Sequence, residues 1–552
     1  MSMNTVLTLH DPAEARGYYD RGLWRDETFY SLMAKHAAER PDAFAVRDSS
    51  RRITWADLKR RVDAAADAMA DAGVVKGNRV SIWMSNRIES LVAFLACARN
   101  GYVCNPSLHF NYTTEEILGL LDRIKARALF GEDGYGVDAA KQNALAQIAK
   151  LPAMRRVFRL PPERGGTGDF PQPAGAAHSK PDPSPDKVCY LAFTSGTTGM
   201  PKAVMHSDNT LLANARDMVR DWGHGPHTVL LSLSPLSHHI AWVAVAQILL
   251  CGGELALNDP PKGMKPLDWI VETGATYVMG VPTHAMDIQA DQQARGMARI
   301  GKVEVFYMAG APIPPVVAER FLQQGIKPQN VYGMTENSSH QYTAPSDDPA
   351  TICNTCGRGG SGYEVRIFDQ DNADIEVPAG TVGQIGGRGA CRMLGYFDNQ
   401  NATEGSFNRD GWFLSGDLGV LDERGNLAIV GRLKDIIIRG GHNIHPKKIE
   451  DLSHKHADVA KAAAFAVPDE RLGERVCLAI LPSGARHPDA GEMLTHLYTL
   501  GLSKYDMPEF YIVMNEFPLT ASGKILKREL AEWAKDGRLK PAPCRFAEPA
   551  KP

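Results

Sequence analysis

Residues 26–150 alternate between the 3.6-residue periodicity of amphipathic helices and short apolar runs typical of strands. Helices are predicted over 56–72, 88–100 and 114–122, and strands over 79–84 and up to Cys104. Strands separated by helices indicate a mainly parallel sheet. We therefore predict an α/β fold whose large N-terminal domain contains mainly parallel α/β sheets.

The rest of the chain changes character twice. After about Tyr363, short strands with turn signals predict an antiparallel β subdomain, and beyond Arg432 a small mobile α+β module is expected. A chain of 552 residues is too long for one hydrophobic core. We predict an N-terminal domain over 1–432 and a C-terminal domain over 433–552, with a loose Pro-rich tail from Lys540.

Composition indicates which partners to expect. A formal charge of −3, with 44% hydrophobic and 23% charged residues, provides no basic field for nucleic acid or an anionic membrane. The charge-free stretch 222–253 contains no apolar run of the ~20 residues that span a bilayer. It favours a strand over 229–233 and a helix over about 240–250. No targeting segment is expected in residues 1–16, which are polar and charged.

The nine cysteines are scattered, mostly within apolar runs, as expected of reduced thiols in the cytoplasm. The single C-x-x-C, Cys353 to Cys356, has neither a second pair nor nearby histidines. A metal or redox role for it is therefore disfavoured.

A Gly/Thr-rich loop follows the predicted strand 188–193 and precedes a helix-like segment. Small side chains let backbone N–H groups approach an anion, while hydroxyls and one lysine add donors and charge. Pro201 stands where a Walker A loop requires glycine, so this is a different phosphate loop. A plain surface turn is the alternative. The expected ligands are Thr194, Ser195, Gly196, Thr197, Thr198, Gly199 and Lys202.

Four further motifs follow in order: Ala-Gly-Ala-Pro at 309–312, Tyr-Gly-Met-Thr-Glu at 332–336, Trp-Phe-Leu-Ser-Gly-Asp at 412–417, and Pro-Leu-Thr-Ala-Ser-Gly-Lys at 518–524. With the loop, they resemble the adenylate-forming superfamily of acyl-CoA synthetases, peptide adenylation domains and beetle luciferases. The resemblance extends from about Phe29 to Leu530. It implies a ligase that activates a carboxylic acid with ATP as acyl-AMP, then transfers the acyl group to coenzyme A. A dinucleotide-like G-x-G-x-x-G at 357–362 leads into a strand pattern and is rejected.

The resemblance assigns nucleotide roles residue by residue. Tyr332 is expected to stack on adenine, Thr335 to contact the α-phosphate, and Glu336 to help hold Mg²⁺. Asp417 should accept hydrogen bonds from the ribose hydroxyls, and Arg432 should contact the ribose from the other side. The remaining expected ATP or AMP contacts are Gly310, Ala311, Pro312 and Gly333.

The last motif supplies the lysine that bridges carboxylate and α-phosphate during adenylation, Lys524. Lys434 matches the family's hinge, about which the C-terminal module is expected to rotate between half-reactions. The segment expected to line the coenzyme A tunnel contains Arg439, Gly440, Gly441 and His442. Lys448 stands where the family commonly has glutamate, so no role is transferred to it.

The acyl pocket is expected near Pro-Leu-Ser-His at 235–238, where His238 matches a pocket or gate residue. His239, Ile240 and Val243 follow at helical spacing on the expected pocket wall. Paired histidines also suggest a metal, or simply buried hydrogen-bonded imidazoles; no third ligand lies within motif reach.

Two departures from the family bear on the substrate. Ala309 and Val331 stand where members with bulky substrates commonly have glycine. Because added side chains reduce pocket volume, we predict a short, branched or small cyclic acid. Both residues could instead compensate for smaller neighbours, which leaves an aromatic or medium- or long-chain acid open.

Two other functions remain open: an adenylating enzyme that loads a carrier protein, and an inactive nucleotide-binding regulator. Lys202, Thr335, Glu336 and Lys524 together argue against the regulator. The sequence leaves a homodimer open.

Overall fold

The computed structural model describes residues 11–194, 201–311, 313–520 and 524–546. The strands are β1 (Phe44–Arg47), β2 (Arg52–Thr54), β3 (Arg79–Trp83), β4 (Val103–Asn105), β5 (Ala128–Glu132), β6 (Arg156–Leu160), β7 (Val188–Thr194), β8 (Lys202–Ser207), β9 (Val229–Ser232), β10 (Glu254–Ala256), β11 (Tyr277–Gly280), β12 (Val305–Met308), β13 (Lys327–Met334), β14 (Ser338–Tyr342), β15 (Tyr363–Phe368), β16 (Gly383–Gly389), β17 (Gly395–Tyr396), β18 (Phe413–Leu421), β19 (Leu427–Arg432), β20 (Ile437–Arg439), β21 (His442–Ile444), β22 (Val459–Asp469), β23 (Gly473–Pro482), β24 (Phe510–Val513) and β25 (Ala542–Pro543).

The α-helices are α1 (Pro12–Asp20), α2 (Phe29–Glu39), α3 (Trp55–Asp71), α4 (Ile88–Asn100), α5 (Thr114–Arg123), α6 (Ala144–Ile148), α7 (Asp208–Trp222), α8 (His239–Cys251), α9 (Pro266–Thr273), α10 (Pro282–Ala294), α11 (Pro315–Gln323), α12 (Pro349–Asn354), α13 (Gln400–Glu404), α14 (Pro446–Ser453), α15 (Ala490–Thr499) and α16 (Lys527–Lys535). A short 3-10 helix, Leu433–Asp435, links β19 to β20.

Two large sheets form most of the N-terminal part. One has the strand order β14-β13-β12-β11-β9-β10-β1-β2, and the other β17-β8-β7-β4-β3-β5-β6. Pairing is parallel in the middle of each sheet and antiparallel at β13–β14, β1–β2, β7–β8 and β8–β17. The largest apolar core joins side chains of both sheets and of the helices α2, α3, α4, α7 and α8. The predicted α/β fold is confirmed.

Helices α4 and α8 lie in this core and are largely apolar. Every residue of α4 is buried, and so are most residues of α8. Both helices end at a glycine with left-handed backbone, Gly101 with φ of 72° and Gly252 with φ of 70°. No helix in the described ranges has the length and hydrophobicity needed to cross a membrane.

The predicted antiparallel subdomain is the four-stranded sheet β15-β16-β18-β19. The glycine-rich segment 357–362 leads directly into strand β15. A dinucleotide-binding motif would lead into a helix instead. Strand β18 begins earlier than predicted, at Phe413, and therefore contains Asp417.

The phosphate loop connects two strands. Strand β7 pairs antiparallel with β8, and Thr194 lies opposite Lys202. The prediction that a helix follows the loop was wrong, because 202–207 is a buried strand and α7 begins only at Asp208. Apolar runs this short do not distinguish strand from helix. Ser195, Gly196, Thr197, Thr198 and Gly199 lie outside the described residues.

The C-terminal sheet has the order β21-β20-β23-β24-β25, with β22 on β23. The prediction of a loose tail was wrong for 541–546, because β25 pairs with β24 and the Cys544 N–H donates to the Glu509 carbonyl at 2.8 Å. The Phe546 ring packs on Tyr498, with centroids 4.7 Å apart. The tail covers the edge of β24, and Pro543 is tolerated there because edge strands need fewer N–H donors.

Candidate active site

The predicted nucleotide and acyl motifs meet at one edge of the larger sheet. Strands β9, β11, β12 and β13 run parallel, and the segments 233–238, 281–284, 309–311 and 332–336 lie at or just beyond their carboxyl ends. Ligands of open α/β sheets usually bind outside the carboxyl ends of the strands. The fold thus brings together motifs that are separated by up to a hundred residues.

Tyr332 is tied to the antiparallel subdomain. Its hydroxyl donates to Asp417 Oδ2 at 2.9 Å, and Arg432 Nε donates to Asp417 Oδ1 at 2.9 Å. Asp417 and Arg432 are direct partners across β18 and β19. Burial raises the pKa of Tyr332, so its hydroxyl stays protonated and continues to donate. Each carboxylate oxygen of Asp417 therefore holds one of the two other residues in place.

The chain turns sharply within the 332–336 motif. A Cβ on Gly333 would lie 1.7 Å from the Ser338 carbonyl oxygen, so only glycine permits this approach. Ser338 has a φ of 54°, which is uncommon for a residue with a side chain. The turn places Thr335 and Glu336 between β13 and β14. The Thr335 carbonyl accepts a hydrogen bond of 2.6 Å from His206 Nε2.

Glu336 is a buried carboxylate, only 7% exposed. The Tyr396 hydroxyl donates to its Oε1 at 2.9 Å, and Lys202 Nζ lies 4.5 Å from the centroid of the Tyr396 ring. Burial raises the pKa of Glu336, whereas Tyr396 and Lys202 oppose that increase. Tyr396 was not predicted; it reaches the site because β17 pairs with β8.

This arrangement fits a magnesium–nucleotide complex better than a metal held by protein alone. No group of three or more His, Cys, Asp or Glu side chains that could hold a metal occurs among the described residues. Mg²⁺ commonly binds one or two carboxylates together with substrate phosphates. The ionised form of Glu336 is disfavoured by burial, and a cation beside it would supply the missing compensation.

Lys524 reaches this site from the C-terminal module. Gly310, with a φ of 86°, leaves room for it, because a Cβ there would lie 2.9 Å from Lys524 Cε and 3.3 Å from Nζ. Burial and then Arg432 lower the pKa of Lys524 to about 8, while Asp417 and Glu336 oppose them. Pro312 and residues 521–523 lie outside the described part of the chain.

His238 lies beside a histidine that was not predicted. Its ring stacks on that of His109 with centroids 4.3 Å apart, and His109 Nδ1 lies 2.9 Å from Ser237 Oγ. Burial, then His109 and Lys524, lower the pKa of His238, so its ring is neutral. Its Nε2 is buried and has no hydrogen-bond partner among the residues that the structure describes. Such an atom normally meets a ligand or an ordered water.

One of the residues expected to form the acyl pocket lies close to Lys524. Ile240 Cδ1 lies 3.6 Å from the Cβ position of Gly310, next to Lys524. Val243, Ala309 and Val331 are at most 5% exposed and belong to the main core. His239 bonds to other side chains and is not part of a metal cluster among the described residues.

The expected hinge and coenzyme A residues lie in the C-terminal part or at its border. Lys434 is in the 3-10 helix between β19 and β20. Arg439 donates to Glu509 at 2.7 and 3.0 Å, and His442 Nε2 lies 2.8 Å from Asp506 Oδ1. Gly440 and Gly441, both with positive φ, form the turn between β20 and β21.

Comparison with known proteins identifies the family. The model of the AMP-binding enzyme family matches residues 33–397, and that of the AMP-binding enzyme C-terminal domain matches 448–524. The chain is 28% identical to a medium-chain fatty-acid–CoA ligase of Escherichia coli, covering 95% of this chain and 94% of the relative. It is 31% identical to a feruloyl-CoA synthase of Amycolatopsis sp, covering 92% and 99%.

Among solved structures, ATP-bound MatB from Rhodopseudomonas palustris superposes with a TM-score of 0.80 at 27% identity, covering 93% of this chain and all of MatB. The chain belongs to the AMP-binding enzyme family and is an AMP-forming acid–CoA ligase, which uses ATP and coenzyme A to convert a carboxylic acid into its acyl-CoA.

Proposed function

We propose that this ligase acts on a short, branched or small cyclic carboxylic acid, activated beside Lys524. The observation that supports the site assignment is the position of the partly buried Lys524 amine, which lies against Gly310 and near Asp417, Arg432 and Glu336. Ala309 and Val331 support the size limit, because both side chains are buried where the pocket is expected.

In the first half-reaction, the acid's carboxylate attacks the α-phosphate of ATP and pyrophosphate leaves. Two anions must approach, and the Lys524 ammonium offsets their repulsion in the transition state. Thr335 contacts the α-phosphate. Thr194, the loop 195–199 and Lys202 hold the departing phosphates. His238 faces the carboxylate with its Nε2, to which no described residue bonds.

A second group of residues in the site holds the nucleoside. Tyr332 stacks on adenine against the 309–312 segment, and Asp417 and Arg432 contact the ribose. The Asp417 hydrogen bond keeps the Tyr332 ring in position before ATP arrives. Glu336 would help hold Mg²⁺, which neutralises charge on the departing pyrophosphate when bound.

In the second half-reaction, the thiol of coenzyme A attacks the acyl carbonyl and AMP leaves. The domain 433–552 rotates about Lys434, which withdraws Lys524 and brings 439–442 to the site to line the pantetheine tunnel. The Lys461–Asp287 ion pair, 3.0 Å between α10 and β22, is a contact that this rotation would break.

Lys434→Pro is expected to slow the two half-reactions unequally, with thioester formation falling more than adenylation. Proline restricts φ and removes an N–H, so the rotation needed for thioester formation is hindered. Adenylation is measured by ATP–pyrophosphate exchange, and thioester formation by single turnover of supplied acyl-AMP. Lys434→Ala is the control. Equal slowing of both steps would contradict the hinge assignment.

The acid preference is tested by a panel of straight, branched, cyclic and aromatic acids, scored by AMP formation with coenzyme A present. We expect kcat/KM to be highest for short, branched or small cyclic acids. Overpacking costs about 1–3 kcal/mol, so palmitate should be about 5- to 150-fold poorer. A profile that peaks at palmitate or longer would rule out this preference. A carrier protein offered in place of coenzyme A tests the alternative acceptor.

A cytoplasmic location is proposed from the cysteines. All nine are free thiols, and eight are buried. Unpaired thiols persist in reducing compartments. Detection of the enzyme mainly in a secreted fraction would contradict this location.

A further inference from the structure

A segment near the N-terminus packs against the residues that follow strand β16. Residues 11–24, which we call the N-terminal strap, consist of α1 and a turn in which the Trp24 N–H donates to the Tyr18 carbonyl at 3.1 Å. Both aromatic side chains are buried in a cluster with Ala390, and the Trp24 indole N–H donates to the Ala390 carbonyl at 2.8 Å. The strap precedes residue 33, where the match to the family begins.

The carboxylate of Glu14 fastens the strap to residues 388–396, which we call the bridging stretch. Glu14 Oε1 accepts from Arg388 Nε at 2.6 Å, and Glu14 Oε2 accepts from Arg392 Nη2 at 2.8 Å. The side chains of Glu14 and Arg392 are only 16% and 13% exposed. Water and salt therefore screen this ion pair less than they screen a pair on the surface.

The same bridging stretch also holds Glu336. The Met393 N–H donates to the Glu336 carbonyl at 2.6 Å, and the Cys391 thiol donates to the Asn337 carbonyl at 3.2 Å. Further along the stretch, the Tyr396 hydroxyl donates to Glu336 Oε1 at 2.9 Å. The bridging stretch thus contacts both the main chain and the carboxylate of Glu336.

We propose that Glu14 and Trp24 are positioning residues for Glu336, which they hold in place for Mg²⁺ through the bridging stretch. This inference rests on the proposed role of Glu336 in holding the metal. Mg²⁺ requires near-ideal octahedral geometry, so it tolerates little displacement of a ligand. Loss of a group that orients a metal ligand commonly lowers metal affinity about 10- to 100-fold.

The packing of the strap predicts an effect confined to the metal side of the site. Ala15, Tyr18 and Trp24 belong to a small apolar cluster that is separate from the main core. The residues proposed to contact the ribose, Asp417 and Arg432, are instead positioned by the pairing of β18 with β19. A loosened strap should therefore displace Glu336 and leave the nucleoside contacts in place.

The test compares the binding of ATP with and without Mg²⁺, measured by calorimetry in the absence of acid and coenzyme A. Glu14→Ala should weaken the binding of MgATP about tenfold, the lower end of the effect of a group that orients a metal ligand. Binding of ATP in EDTA should remain nearly unchanged. Trp24→Phe keeps a buried ring and removes only the N–H, so it should act in the same direction by a smaller factor. It provides the test even if loss of Glu14 prevents folding.

Glu27→Ala is the matched control. Glu27 is another carboxylate near the N-terminus, but it pairs with Arg216 of α7 at 3.0 Å rather than with the bridging stretch. Its removal should leave the binding of MgATP as in the wild type. If Arg392 transmits the effect of Glu14, Glu14→Ala should add little in an Arg392→Ala background, because residues that act through one contact are not additive.

Equal weakening of MgATP and metal-free ATP in Glu14→Ala would show a general structural role and overturn the inference, as would the same selective loss in Glu27→Ala. Glu336→Gln separates this inference from the proposed function of the site. If Glu336→Gln lost affinity for MgATP while Glu14→Ala and Trp24→Phe kept it, the positioning role alone would be refuted. If Glu336→Gln bound MgATP as tightly as the wild type, the proposed metal role of Glu336 would be refuted as well.

Discussion

Replacement of Lys524 by alanine should lower the rate of adenylation about 100- to 1000-fold, the usual effect of removing a preorganised electrostatic group from a transition state. The partly buried Lys524 side chain packs against Gly310, near Arg432, Asp417 and Glu336. The loss should appear in kcat for acyl-AMP formation more than in the KM of either substrate.

Two comparisons make this result specific. Thioester formation from supplied acyl-AMP should change little in Lys524→Ala, since the lysine is proposed to be withdrawn in that step. Lys540→Ala removes an exposed lysine from the same module and should leave adenylation unaltered. Undiminished acyl-AMP formation in Lys524→Ala would refute the proposed mechanism.

The same lysine should impose an alkaline limit on adenylation. Burial lowers its pKa to about 8, so in the free enzyme the required ammonium is lost as the pH rises through that value. The kcat/KM for adenylation, which reports the free enzyme, should therefore fall above about pH 8. Lys524→Arg, which keeps its charge, should remove this alkaline decrease in kcat/KM even if its rate is lower. If the decrease were unchanged in Lys524→Arg, a group other than Lys524 would be responsible for it.

Asp417→Ala should weaken ATP binding about tenfold to a hundredfold. The carboxylate is proposed to accept the ribose hydroxyls, and a hydrogen bond to a charged group contributes about 1.5–3 kcal/mol. The change also frees the Tyr332 ring and leaves the Arg432 guanidinium without its partner. The effect should raise the KM for ATP and the calorimetric Kd for ATP, with little change in the KM for the acid.

Tyr332→Phe separates these contributions. It keeps the ring that is proposed to stack on adenine and removes only the hydroxyl that Asp417 binds, so its effect should be smaller. Asp422→Ala is the control, because Asp422 caps the turn between β18 and β19 through Asn426 and Arg424. If ATP bound equally well to Asp417→Ala and Asp422→Ala, the ribose assignment would be wrong.

Local sequence pattern was sufficient for most secondary structure and for the order of the motifs. Helix 88–100 was predicted with the bounds that α4 has, because an apolar run of that length ending at glycine has few alternatives. The phosphate loop was recognised from its small residues and lysine. The helix predicted after it was wrong, because six residues at 202–207 lie within the range where strand and helix patterns coincide.

The site residues outside the motifs could only be identified from the tertiary structure. Tyr396 meets Glu336 through the pairing of β17 with β8, and His109 meets His238 from a loop far away in the chain. Ser338 directly follows Glu336-Asn337, so extension of the motif by two residues would have included it.

Motif residues can be recognised from the sequence because phosphate and carboxylate chemistry restricts which residue types can occur at a fixed spacing. The environment of those residues depends on which strands become neighbours and how deeply each group is buried. The lowered pKa of Lys524 illustrates this difference. The motif identifies the lysine, but its burial beside Arg432 depends on how the C-terminal part of the chain packs against the N-terminal part. The sequence pattern located Lys524, and the tertiary packing determined its pKa.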